Sequence, residues 1–331
     1  MTSTNPLPPP HRVLITGGAG FIGGHLARRL LDQGSEVTVL DDLSTGREAN
    51  LPHHPALRLV RGSATDPAAV RAAGPADLVL HLAGVVGMRL AVYERERAYH
   101  VADAGTRTVL AETGAAPVLL FSSSAVYGGD AEQPVAERRA VRMEGLRLYD
   151  GGAPGYASGK WRLEQLGRAA ARAGRRVLIV RPFNVVGPGQ SDAYGMVIPT
   201  FVRRALDGLP LEVHDDGRQT RCFSHVRCFT GCIARLLRDP RAWTRRALTL
   251  NVGCGQPASI GEAARVVLEE TGSSSAVRHV PYAEVFPGRA DVRGRIPDAG
   301  RMRALLGETE WPGLRAIVRD VVASLRAGAD G

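Results

Sequence analysis

The hydrophobic positions of this chain change period at regular intervals. Arg12-Val13-Leu14-Ile15 is a short apolar run, and His25 to Leu31 then places apolar residues at helical spacing until Gly34 ends the stretch. A second run, Glu36-Val37-Thr38-Val39-Leu40, follows directly. Further runs stand at 57–60, 78–82, 118–121 and 177–180, with helical stretches at 93–113 and 157–173. Runs of four or five apolar residues without strict alternation predict strands buried on both faces, and the helices between them serve as crossovers. The pattern therefore predicts an α/β fold built on a doubly wound parallel sheet. A Gly- and Pro-rich segment at 187–195 marks a shift in composition. Beyond it the chain reads as helix 197–207, helix 227–238, strand 248–252 and helices 259–271 and 299–306, a smaller C-terminal α/β domain. The predicted domains are 11–186 and 187–331, with residues near 215–255 packing back onto the first. Residues 1–10 are Pro-rich and read as a disordered leader, since they lack the basic and apolar regions of a signal peptide.

The turn after the first strand is Thr16-Gly17-Gly18-Ala19-Gly20-Phe21-Ile22-Gly23. Gly18, Gly20 and Gly23 fit G-x-G-x-x-G, and Gly17 extends the pattern. Glycines there permit a tight turn and a close approach of the backbone to a pyrophosphate, which the N-terminus of the next helix receives. Asp41 follows Gly23 by 18 residues, at the end of the second strand, where a carboxylate holds an adenosine ribose. An acid at that position repels a 2′-phosphate and favours NAD over NADP. The first domain thus reads as a Rossmann-type, NAD-binding domain.

Charge and composition add exclusions. The net charge is +9, but Asp and Glu are interleaved with Arg nearly everywhere, and aromatic residues make up 5%. No basic patch with interleaved aromatics is present, so nucleic acid is not an expected partner. A nucleotide phosphate is a sufficient use of the positive balance. No apolar run reaches membrane-spanning length. Cys222, Cys228, Cys232 and Cys254 lack metal-ligand spacing and read as buried thiols of a reducing compartment, with no metal site expected and a cytoplasmic location.

Candidate chemistry gathers at Gly155-Tyr156-Ala157-Ser158-Gly159-Lys160. Tyr156 and Lys160 are four apart at the start of a helical stretch, so a phenol and an ammonium share one face. A neighbouring cation favours the phenolate and is expected to lower the phenol below its usual value of about 10, which makes Tyr156 a candidate acid/base. The chain has 42 Lys and Arg residues, and Lys160 is its only lysine. In so biased a chain, a retained lysine marks a position where a planar guanidinium does not substitute. His81, at a strand end, reads as a satisfied core residue.

With these motifs in hand, the chain resembles the extended short-chain dehydrogenase/reductase family, in its nucleotide-sugar epimerase/dehydratase branch. The resemblance covers roughly residues 11–310. It is carried by Thr16–Gly23, Asp41-Asp42-Leu43-Ser44-Thr45-Gly46, His81–Gly84, Phe121-Ser122-Ser123-Ser124-Ala125-Val126-Tyr127-Gly128, Tyr156–Lys160 and Arg181–Gly187. Further matches are Gly195–Pro199, Gln219-Thr220-Arg221 and Arg295-Ile296-Pro297-Asp298. The resemblance implies that Gly17, Gly20, Phe21, Ile22, Gly23, Asp41, Asp42, Ser44, Thr45, Gly46, Ser63 and Ala64 bind the adenosine half of NAD. Leu82, Ala83, Gly84, Ser122, Tyr156, Lys160 and Phe183 would hold the rest. Ser123, Tyr156 and Lys160 would be catalytic, and Ser123, Ser124, Asn184, Val197, Arg221, Arg289 and Arg295 would contact a sugar nucleotide, with a UDP-sugar favoured. Spacing does not separate Arg289 from Arg295 as the pyrophosphate contact. A homodimer through helices 93–113 and 157–173 is also implied.

The chain departs from the branch where it matters for the reaction. Dehydratases and decarboxylases of the branch carry an acidic residue between the catalytic Ser/Thr and Val-Tyr-Gly, and here those positions are Ser124 and Ala125. Water elimination needs a group to take the C5 proton and another to protonate the leaving hydroxyl. The expected activity is therefore a nucleotide-sugar 4-epimerase acting on a hexose or hexuronate through a 4-keto intermediate. A dehydratase, decarboxylase or reductase is the alternative within enzymes, and an NAD-sensing regulatory protein the alternative outside them. Should elimination chemistry occur, Asp130, Glu132, Glu137, Glu144 and Asp150 of the atypical 130–155 segment are the carboxylates to supply it.

Overall fold

The structure, a computed structural model of the chain, describes residues 10–129, 131–139, 141–243, 247–287, 289 and 291–327, with backbone alone at Met88. The expected leader lies outside the described residues except for Pro10, whose carbonyl accepts a hydrogen bond from Ser35 Oγ at 2.7 Å. Seven strands form one parallel sheet. Their order across it is Leu248–Val252, Val177–Pro182, Val118–Phe121, Leu78–His81, Arg12–Thr16, Glu36–Asp41 and Leu57–Arg61. The chain runs outward from Arg12–Thr16 to one edge, then crosses back to Leu78–His81 on its other side. Such a reversal opens a crevice at the carboxyl ends of the strands, where ligands bind in sheets of this kind.

Side chains that alternate along each strand feed two different layers. Val13 and Ile15 pack with Leu26 and Leu30 of the helix Phe21–Asp32 and with Phe229, Ile233 and Leu236 of the helix Val226–Arg238. Leu14 packs on the other face, with Val109 and Leu163 from the helices Arg95–Glu112 and Tyr156–Arg172. Burying one such aliphatic or aromatic side chain contributes roughly 1.5–3 kcal/mol. This explains the absence of polar alternation in the inner strands, where both sheet faces are covered; the edge strand Leu57–Arg61 keeps Arg58 and Arg61 exposed.

A second core lies after residue 185. Ile198, Phe201 and Val202 pack on Leu211 and Val213, on Ala263 and Val267, and on Ile317, Val318, Val321 and Val322 of the helix Leu314–Ala327. Two short sheets border it. Leu211–His214 pairs with Val277–Val280, and Thr220–Arg221 lies between Ala258–Ser259 and Gly294–Arg295. The last pairing brings residue 295, distant in sequence, beside residue 221.

Candidate active site

A cleft of about 810 Å³ runs along the carboxyl ends of the sheet strands and into the second core. At its first end the backbone itself forms the floor. Gly17 has φ +71°, and a Cβ there would stand 2.7 Å from the Ala83 nitrogen; a Cβ at Gly23 would stand 2.5 Å from the Gly17 carbonyl oxygen. The helix Phe21–Asp32 starts here with no side-chain cap and no acidic residue in its first turn, so its N-terminal amides are left for an anion. Asp41 is buried at the end of its strand and accepts from the amides of Ala19 and Leu43, each at 2.9 Å. Burial pushes its pKa up, while those two bonds oppose the shift. Asp42, Ser44, Thr45, Gly46, Ser63 and Ala64 line the same end. Free helix amides, a floor without side chains and a carboxylate beyond them match the pyrophosphate and adenosine ribose of NAD.

Ser123, Tyr156 and Lys160 meet in the middle of the cleft. Ser123 stands two residues beyond the strand Val118–Phe121 and caps the short helix Ser124–Tyr127, its Oγ accepting from the Ala125 amide at 3.1 Å. Tyr156 opens the helix Tyr156–Arg172, and its phenol faces Ser123, which acts to lower its pKa. Lys160, one turn on, is buried; its Nζ donates to the Phe121 carbonyl at 2.8 Å and lies 6.0 Å from the centroid of the Tyr156 ring. A Cβ at Gly84 would stand 3.3 Å from that Nζ, so the glycine keeps the lysine open to the cleft.

The acid/base balance corrects one expectation. Tyr156 is pushed up to about 12, by burial first, with Tyr149 and Asp150 adding to the rise and Ser123 and Arg295 opposing it. Lys160 is brought down to about 8 by burial. The expected fall of the Tyr156 pKa is thus reversed in the ligand-free chain. Two groups that share a helix face also share its dry surroundings, which penalise both charged forms.

Two buried carboxylates hold this arrangement. Glu164 lies on the same helix as Tyr156 and Lys160, two turns beyond the phenol. Its Oε1 accepts from Ser122 Oγ and from Arg181 Nε, both at 2.7 Å, and its Oε2 accepts from Arg181 Nη2 at 2.8 Å. The Ser122 hydroxyl, assigned above to the cofactor, is therefore committed to the Glu164–Arg181 pair. Asp150 accepts four hydrogen bonds from the first turn of the Tyr156 helix and its approach. The Glu164 role was not legible in the residue spacing because Ser122 and Arg181 come from other segments, and the Asp150 role was not because it depends on the turn through Gly151 and Gly152.

The far end of the cleft is arginine-rich. Arg221 donates to the Val292 carbonyl at 2.7 Å and to Asp291 Oδ1 at 2.9 Å. Arg289 Nη2 donates to the Asp150 carbonyl at 2.8 Å. Arg295 is 5% exposed; it bonds the Ser124 carbonyl, and its guanidinium lies 5.4 Å from the centre of the Tyr149 ring. Among the described residues no carboxylate forms an ion pair with Arg295. Asn184, Ser124 and Val197 also line the cleft. Phe183 does not: the wall passes through Pro182 and Asn184, and the Phe183 ring is fully buried against Val126, Tyr127 and Val135. That corrects its assignment to the cofactor, for its side chain serves the core. His81 is fully buried between Thr16 Oγ1 at 2.7 Å and Thr106 Oγ1 at 3.1 Å, and burial holds its pKa at about 3, a satisfied neutral imidazole.

Of the five carboxylates in the atypical segment, Asp130 lies outside the described residues. Glu132 and Glu144 are exposed, and Glu137 accepts from the Asn251 amide at 2.9 Å, away from the cleft. Only Asp150 reaches the site.

Comparison with known proteins agrees with this geometry. The model of the NAD dependent epimerase/dehydratase family matches residues 13–253. A UDP-N-acetyl-alpha-D-glucosaminuronate decarboxylase of Bacillus cytotoxicus is 34% identical over 309 residues, covering 89% of this chain and 91% of that protein. MoeE5, solved in complex with UDP-glucuronic acid and NAD, is 28% identical with a TM-score of 0.79, covering 96% of this chain and 99% of that one. A UDP-glucose 4-epimerase of Thermotoga maritima, solved with UDP-glucose, shares the fold with a TM-score of 0.83 at 24% identity, covering 96% and 99%. The chain belongs to the NAD dependent epimerase/dehydratase family, and its cofactor is NAD.

Proposed function

We propose that this chain is an NAD-dependent 4-epimerase of a nucleotide hexuronate, with UDP as the nucleotide. The observation that carries this reading is the charge balance around Tyr156. Among the described residues no carboxylate forms an ion pair with Arg295, a buried cation beside the acid/base rather than at the cofactor end, and Asp291 acts on it only through space. An unpaired buried charge is costly, and a carboxylate supplied by the ligand would relieve it. A sugar ring whose C4 faces Tyr156 places its own C6 group nearby, so the anion at that position is a uronate carboxylate. The Bacillus relative is a decarboxylase of a UDP-linked uronate and MoeE5 was solved with UDP-glucuronic acid, which is the same substrate chemistry.

The same balance disfavours C5 chemistry. Among the described residues the carboxylates lining the cleft are Asp41, Asp42, Asp150, Asp192, Glu212 and Asp291. Asp41 and Asp42 stand at the cofactor end. Asp192 pairs with Arg203, Glu212 with Arg204 and Asp291 with Arg221, while Asp150 is filled by its four donors. None is free to take a C5 proton. Ala125 offers no acid where the branch carries one.

Lys160, Leu82, Ala83 and Gly84 would flank the nicotinamide half of NAD, and Asp41 the adenosine ribose. When bound, NAD supplies a reversible hydride acceptor for C4. Tyr156, as phenolate, takes the O4 proton, and Ser123 orients O4 and passes the proton. Lys160 and Arg295 are the nearby cations that favour the phenolate. Arg221 and Arg289 hold the pyrophosphate while the 4-keto sugar turns over, so remote binding energy retains a loosely held ring. Tyr156 then returns the proton to O4 on the epimeric product. In the 4-keto hexuronate the carboxylate is β to a ketone and prone to loss as neutral CO₂. An ion pair with Arg295 stabilises the carboxylate more than departing CO₂ and so slows that loss.

A decarboxylase is the second reading, favoured by the 34% identical relative. Product analysis separates the two. Incubation with UDP-glucuronic acid is expected to give the C4-epimeric UDP-hexuronate by NMR; CO₂ and a UDP-pentose would establish the second reading instead. Arg295→Gln removes a cation near Tyr156 for every substrate, and is expected to lower kcat/KM for the hexuronate about 10–100-fold more than for neutral UDP-hexoses. Equal loss on both substrates would contradict the carboxylate assignment.

A further inference from the structure

The helix that carries Tyr156 begins without a cap of its own. Gly155 at its N-cap position offers no side chain, and its first turn holds no acidic residue. Asp150 supplies the anion from outside. Its side chain is 1% exposed. Oδ2 accepts from the Gly155 amide at 3.1 Å, the Ser158 amide at 2.9 Å and the Ser158 hydroxyl at 2.6 Å, and Oδ1 accepts from the Ala157 amide at 2.9 Å. Orphan amides and the positive end of the helix dipole are thereby met at once. The chain reaches this position through Gly151 and Gly152, at φ +76° and +92°. A Cβ at Gly151 would stand 3.1 Å from Arg289 Nε. Arg289 holds the Asp150 carbonyl at 2.8 Å, and Arg95 holds the Gly151 carbonyl at 2.9 Å.

We infer that Asp150 is a positioning residue for Tyr156: its carboxylate fixes the first turn that presents the phenol, and its carbonyl ties that turn to Arg289 at the sugar-nucleotide end. The inference rests on Tyr156 being the acid/base but not on the identity of the sugar. The charged and titratable groups facing the phenol are Tyr149 from the helix Met143–Tyr149, Asp150 from the turn, Arg295 from the strand Gly294–Arg295 and Lys160 from its own helix. Among the described residues, Asp150 is the only carboxylate in that set. It therefore also favours the protonated phenol, in the same direction as burial.

The test is Asp150→Asn, which keeps the size and removes the charge, alongside Asp150→Glu, which keeps the charge and displaces it. In the Asn variant kcat falls about 10–100-fold and affinity for UDP alone stays within about twofold. The acid limb of kcat/KM moves to lower pH by about 0.5–1 unit, because a charge that retained the proton is gone. The Glu variant loses kcat with the limb in place, and it carries the test if the Asn variant does not fold. The ring ¹³C signal of Tyr156, assigned with Tyr156→Phe, is followed in ligand-free protein from pH 8 to the alkaline limit of folding and moves earlier in the Asn variant. That arm needs no sugar substrate, so it stands even if the hexuronate assignment fails. An unmoved limb and an unmoved ¹³C titration in Asp150→Asn, or full kcat in Asp150→Glu, would overturn the inference.

Discussion

Burial holds the proton on Tyr156 and lowers Lys160 to about 8, which still leaves an ammonium at neutral pH, while the proposed chemistry needs a phenolate beside it. Lys160 and Arg295 are the cations that favour the phenolate against burial. Tyr156→Phe is expected to lower kcat by roughly 10²–10⁴-fold while the fold and bound NAD persist, since the phenol is the only proposed acceptor for the O4 proton. Lys160→Met is expected to lose activity comparably and to move the pH optimum upward. Steady-state rates with NAD quantified in the purified variants check both, and wild-type turnover in either would refute the assignment. The Tyr156–Lys160 pair was legible in the chain because four residues on a helix is a local relation. The direction of the Tyr156 shift was not, because desolvation depends on segments far away in sequence. Phe183 shows the same limit: the family resemblance implied a place at the cofactor, but its side chain packs into the core.

At the scale of elements, the catalytic helix is fastened at two places. Asp150 holds its first turn, and Glu164 ties its third turn to the serine-bearing strand through Ser122 and to the strand Val177–Pro182 through Arg181. Burial alone would raise the Glu164 pKa, but the Arg181 bonds outweigh it and hold it below the ordinary value of 4.5. A carboxylate depressed in the folded state contributes stability that is complete above its unfolded value and lost as pH falls through the folded one. The native protein is therefore expected to lose stability below about pH 4.5 by this route. Glu164→Gln leaves Arg181 buried without its partner, at a cost of about 3–5 kcal/mol near neutral pH, and flattens the acid dependence. Denaturant melts of both proteins from pH 3 to 7 read this directly; parallel pH curves would contradict it. The strands and long helices were legible because apolar runs and helical spacing are written locally. The helix Leu314–Ala327 was not read from the chain, although Ile317, Val318, Val321 and Val322 close the second core. Arg289 and Arg295, inseparable by spacing, are separated by the pairing of Gly294–Arg295 with Thr220–Arg221, which turns residue 295 toward Ser124.

The whole molecule sets two grips on either side of one reacting carbon. The glycine-floored end and Asp41 suit NAD, and the arginine end suits the sugar nucleotide. Because the proposed reaction regenerates NAD in each turnover, the cofactor has no reason to leave. Denatured protein is expected to release NAD and not NADP, and turnover is expected without added reductant; NADP alone in the supernatant would contradict the reading of Asp41. The net charge of +9 suits a ligand with a pyrophosphate and a carboxylate, and among the described residues no helix is long and apolar enough to cross a membrane. The central claim is that hydride leaves C4 and returns to C4 while C5 is untouched. Turnover of UDP-glucuronic acid in D₂O tests it most directly. The account predicts a C4-epimeric hexuronate with no carbon-bound deuterium. Deuterium at C5, or a pentose product, would contradict it.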